Sequence, residues 1–146
     1  MNRSGLEQYK KVAAESDAAF ASPHRLIQML INGALDKISI AKGCMERGEI
    51  AKKGQNIGWA ISIIDGLRVS LDKSAGGEIS ENLDALYDYM MRRLLLANTD
   101  NNIEILDEVS KLMNTVKSAW DEIGTQVNHK PASNGSDAPI LTATVR

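Results

Sequence analysis

At 146 residues, with 43% hydrophobic and 4% aromatic residues and a net charge of −2, the chain is long enough for one domain with a real core. Scarce aromatics leave Leu, Ile, Ala and Met to fill that core, which favours helices over sheets. Acids and bases are interspersed throughout, so the basic footprint that nucleic acid demands is missing.

The basic pairs Lys10–Lys11, Lys52–Lys53 and Arg92–Arg93 read as solvated helix faces. A single cysteine, Cys44, excludes an internal disulfide and points to a reducing compartment. No stretch reaches the roughly 20 apolar residues of a membrane span, and no early apolar run follows Met1. A cytoplasmic location without membrane insertion is expected.

Residues 1–21 read as a leader in which Leu6, Tyr9 and Val12 recur at helical spacing, too short to be stable alone. Ser22-Pro23 then starts a long helix, with Ser as N-cap and Pro preset for the first turn. That helix is predicted from Pro23 to Arg47, with Gly48 as its stop. Its apolar stripe is Ile27, Leu30, Ile31, Ala34, Ile38, Ala41 and Met45.

A second helix, Glu49 to Asp72, carries Ile50, Ile57, Ile61, Ile64, Leu67 and Leu71, and Ala75-Gly76-Gly77 breaks the chain after it. A third, Ser80 to Ala97, buries Leu83, Leu86, Tyr87, Met90 and Leu94. Asn98-Thr99-Asp100 separates it from a fourth helix, Asn101 to Ile123, with Ile105, Val109, Leu112, Val116, Trp120 and Ile123 on one side. After Gly124 the helical period is lost, and residues 125–146 are expected to form a disordered tail. The predicted architecture is all-α: an antiparallel up-and-down four-helix bundle over residues 22–124, preceded by a short helical leader.

The fourth helix keeps its main apolar positions within roughly a 140° arc, about what a core needs. The others carry more. On the second, Trp59 and Ile63 lie roughly 100° or more from the centre of the Ile57–Ile64–Leu71 stripe. Met29 and Ile40 on the first helix, and Met91 and Leu95 on the third, also sit off the main face. A surplus apolar face is covered by another element or receives a partner. Three helix-interior glycines, Gly33, Gly58 and Gly66, cost roughly 1 kcal/mol each against Ala; they serve close helix crossings or leave room for an incoming helix.

Catalytic chemistry finds no support. A di-metal bundle needs Glu-x-x-His pairs facing inward, and neither His24 nor His129 follows a Glu at that spacing. His24 reads as a solvent-facing residue in the first turn of its helix, not as a phosphorylated mid-helix histidine. Cys44 has no histidine near it in sequence, and there is no strand to support a phosphate loop. No enzyme, metal or cofactor is expected. The rival to a binding module is a regulatory bundle of the phosphotransfer or anti-regulator type.

Four runs, in order, resemble a known family. Ala21-Ser22-Pro23-His24-Arg25-Leu26-Ile27-Gln28-Met29-Leu30, followed by Gly33-Ala34-Leu35, is similar to the opening of the flagellar secretion chaperone family (FliS). The run from Leu71 to Leu83 resembles its central turn. Leu86 to Asn98 resembles its third long helix, and Ala119-Trp120 fits its last. One departure is Ile31-Asn32, where that family usually shows an aromatic residue followed by Asp.

The resemblance implies an export chaperone that binds the disordered C-terminal segment of flagellin as helices in apolar grooves, prevents premature polymerisation and delivers it to the flagellar export gate. A flagellar anti-sigma factor is a further implied partner, and the free protein is expected to be a monomer or weak homodimer. Residues assigned to partner binding are Tyr9 in the leader and Trp59, Ile63, Leu67, Leu71, Leu83, Tyr87, Met91 and Leu95 in the bundle.

Overall fold

The computed structural model describes residues 22–129, with side chains through Gly124. Among these there are four helices and no strand: α1 (Pro23–Glu46), α2 (Ile50–Val69), α3 (Lys73–Asp100) and α4 (Ile103–His129). Each packs on its neighbours in sequence, and α1 also packs on α4, closing an up-and-down bundle. Tyr9, the rest of the leader and residues 130–146 lie outside the described residues.

Local chemistry sets the helix ends. Ser22 Oγ accepts from the Arg25 N–H at 3.1 Å, and Pro23 fills the first turn. Gly48 at φ 74° turns the chain between α1 and α2. Asp72 Oδ1 accepts from the Ala75 N–H at 3.2 Å and starts α3. The helix therefore begins at Lys73, ahead of the predicted Ser80. Gly77, at φ 55° and ψ −127°, turns the expected break into a kink inside α3. Asn101, left-handed at φ 53°, closes α3, and Asn102 Oδ1 caps α4 through the Glu104 and Ile105 N–H groups.

The predicted end at Ile123 is corrected, because α4 runs on through His129. Gly124 acts here as an interior glycine. It is buried, and a Cβ built on it would lie 2.1 Å from His24 Nε2. The missing side chain admits a neighbouring ring, so Gly124 is no left-handed stop, and no proline follows before Pro131.

The core joins Ile31, Ile38, Ile57, Ile64, Leu67, Tyr87, Met90, Leu94, Val109 and Trp120, as the stripes predict. It also takes Leu106 and Met113, which the predicted stripe of α4 omits. Ile50, placed on the core stripe of α2, is instead 60% exposed at the first turn of that helix.

Lys53 overturns the solvated reading of the Lys52–Lys53 pair. It is only 4% exposed, and its amine donates to the Asn98 carbonyl and to Asn101 Oδ1, both at 3.0 Å. These acceptors sit where α3 ends, the negative pole of its dipole, so the buried charge has partners and a favourable field.

Candidate partner-binding faces

Two faces of α2 differ in how far they are covered. Toward α1, α2 packs most extensively, and Gly33 and Gly66 are both buried. Ile63, assigned to the surplus face, is fully buried at 0% exposure. Leu67, Leu71 and Tyr87, also assigned to partner binding, are core residues as well. None of these four offers surface to a partner in this structure. Trp59 does: it is 43% exposed, with the Lys37 ammonium 3.9 Å above its ring centre.

Toward α3 the packing opens. The register between the antiparallel helices is fixed at two points. Near one end Gly54 lies beside the Asn98 side chain. Near the other Arg68 pairs with Asp84 at 2.7 Å and Asp88 at 3.6 Å. Between these points helical spacing sets Gly58 opposite Leu95 and Ile61 opposite Met91. Ile61 and Met91 are half-buried against the core, Leu95 is 57% exposed, and a Cβ on Gly58 would meet nothing within 4 Å. The result is a groove with an apolar floor, an open glycine on one wall and a bare leucine on the other. Leu83, half-buried, lies on α3 directly before Asp84 of the Arg68–Asp84 pair.

The sequence pattern flags Trp59, Met91 and Leu95 but misses Ile61, which the helical wheel assigns to the core. Gly58 was legible only as an ambiguity, and the open space around it favours room for an incoming group. Gly33 and Gly66 are buried.

Charges rim this groove. Arg68 holds the Asp84 carboxyl below the usual carboxylate range through their hydrogen bond, and Lys73 adds a 3.4 Å contact. Arg92 pairs with Asp88 at 3.0 Å one turn on. On the opposite side of α3, Tyr89 and Arg93 donate to the two oxygens of Glu108 at 2.5 and 2.9 Å. Those bonds lower the Glu108 pKa and raise that of Tyr89. Such exposed pairs align helices more than they stabilise them.

No group of three or more His, Cys, Asp or Glu side chains among the described residues is placed to hold a metal, and no described helix is long and apolar enough to cross a membrane. His24 is not solvent-facing. Its ring stacks on Trp120 with centroids 4.7 Å apart, and both ring nitrogens are buried without a hydrogen-bond partner. A phosphotransfer histidine presents a nitrogen to its donor; this one is shut in.

A helical bundle with a filled core, an open apolar strip between α2 and α3 and, among the described residues, no cluster placed to hold a metal has the form of a helical binding module. A family model described as flagellar protein FliS matches residues 5–127. A flagellar secretion chaperone FliSB from Pseudomonas aeruginosa is 52% identical over 118 residues, covering 81% of this chain and 94% of the relative. Flagellar secretion chaperones FliS from Salmonella typhimurium and Vibrio cholerae are 43% and 40% identical. They cover 86% and 90% of this chain, and 93% and 96% of their own. The chain belongs to the flagellar secretion chaperone family FliS, whose members are chaperones and not enzymes.

Proposed function

We propose that this chaperone holds the C-terminal segment of flagellin as amphipathic helices laid in its outer grooves. In this way it keeps the subunit from polymerising and hands it to the flagellar export gate from the cytoplasmic side. The α2–α3 groove is the principal seat, with Trp59 and Lys37 on the adjoining face as a second. The observation that carries the reading is the open row of Gly58, Ile61, Met91 and Leu95 beside a core already closed without them.

Two leucine-sized side chains fully covered in such a groove contribute about 1.5–3 kcal/mol each, enough to hold a disordered segment once its ordering cost is met. The cost of ordering keeps the complex reversible, which hand-over requires. The same grooves suit an amphipathic segment of a flagellar anti-sigma factor, which would then compete with flagellin.

Titration calorimetry with a flagellin C-terminal peptide tests this. Leu95→Asp is expected to weaken binding at least tenfold while circular dichroism and the thermal midpoint stay near those of the parent, as is Trp59→Ser to a smaller degree. Unchanged affinity in both variants would move the site off these faces. A fall in midpoint instead of affinity would make Leu95 a structural residue.

A further inference from the structure

We infer that His24, Trp120 and Gly124 form an acid-released latch that holds the first turn of α1 against the last turns of α4. The ring of His24 lies nearly parallel to the Trp120 indole, 9° between planes and 4.7 Å between centroids. The indole N–H donates to the His24 carbonyl at 2.9 Å, so side chain and backbone of one residue are gripped by the same tryptophan. Gly124 completes the seat, because any Cβ there would overlap His24 Nε2, Cε1 and Cδ2 at 2.1–2.7 Å.

What this seat omits is an acceptor. Both ring nitrogens are buried and unpaired, which a neutral imidazole tolerates far better than an imidazolium with two N–H donors. A protonated ring keeps its attraction to the indole face but leaves a charge and two donors without partners, so the charged form is better served in water. Burial accordingly pushes the His24 pKa below the ordinary 6.5, while the Asp121 carboxylate pulls it back in part.

Among the described residues, the charged groups around the ring are few. On α4, Asp121 is already engaged by the Gln28 amide at 2.7 Å and by Lys117 at 3.5 Å. On α1, Arg25 is the exposed neighbour. Among the described residues none supplies an acceptor to the ring where it sits. Protonation therefore favours a conformation with His24 swung out, Trp120 uncovered and the start of α1 detached from α4. This device is independent of the groove chemistry proposed above.

The test follows His24 by its ring carbon–proton resonance in a His129→Gln background, which leaves one histidine, and Trp120 by emission in a Trp59→Phe background, which leaves one tryptophan. His24 is expected to titrate below 6.5, with Trp120 emission shifting to the red over the same range. His24→Phe, which keeps a stacked ring but cannot titrate, should hold the emission constant down to about pH 5. Gly124→Ala, by displacing the ring, should return the midpoint to its ordinary value and expose Trp120 already at neutral pH. A midpoint at or above 6.5, an emission that stays constant while His24 titrates, or an unaltered midpoint in Gly124→Ala would each overturn the latch.

Discussion

The two ends of the bundle are closed by the same device in opposite condition. At the end where α1 turns into α2 and α3 into α4, a buried basic side chain, Lys53, bonds two oxygens at 3.0 Å beside the carboxyl end of α3. At the end where α1 begins and α4 finishes, a half-buried basic side chain, His24, hides both ring nitrogens and bonds neither. Lys53 is a closure with its acceptors built in. His24 is a closure conditional on its own neutrality. The difference lies in the acceptors, since a buried polar group is costly unless it is hydrogen-bonded.

Removing the aromatic half of the conditional end should have the largest effect. Trp120→Ala empties a site that is 3% exposed and strips His24 of its stacking partner, for an expected loss of about 3–5 kcal/mol in urea unfolding. A loss below about 1 kcal/mol would mean that α4 re-packs around the vacancy. Lys53→Met should come next, at about 2 kcal/mol, because it removes two charge-assisted hydrogen bonds but leaves the exposed Asn101 free to find water. If the two variants lose equally, the ends are not distinguished by acceptor count.

Acid separates the ends without mutation. A folded histidine with a depressed pKa binds fewer protons than the unfolded one, so its contribution is present above 6.5 and declines as pH falls below that value. The hydrogen-bonded Glu108 carboxyl is depressed from 4.5, so its contribution is lost only on further acidification, below that value. The thermal midpoint should therefore fall in two steps on acidification. The upper step should be missing in His24→Phe, and its persistence would assign it to another group.

Gly58→Leu has the smallest effect on stability and the opposite sign. Its Cβ meets open space, and leaving glycine in a helix gains about 0.8 kcal/mol, while the added side chain lies across the α2–α3 groove. Stability should rise slightly as affinity for the flagellin peptide falls. A gain in stability with intact affinity would place the peptide elsewhere.

Much of this was legible in the residues. The spacing of Ile27, Leu30, Ile31, Ala34 and Ile38 places α1 and its buried face because a helix repeats every 3.6 residues whatever it packs on. Ser22-Pro23 and Gly48 mark helix ends because caps are settled by neighbours within a turn. Flagging Trp59 and Leu95 as surplus rests on the same periodicity, and both are exposed. Assignments failed where the outcome belongs to the partner helix. Ile63 and Trp59 lie together on the wheel's surplus side, yet the packed bundle buries one and leaves the other open. Lys53 looks like any surface lysine until the end of α3 is brought over it.

The sequence alone determined the helices, their inward stripes and the family, because those depend on spacing and on residue runs. Only the tertiary structure decided which surplus residues stay open, which glycine makes a contact and which a space, and which buried base finds acceptors. Each of those depends on distances between helices far apart along the chain, and no local pattern encodes a distance.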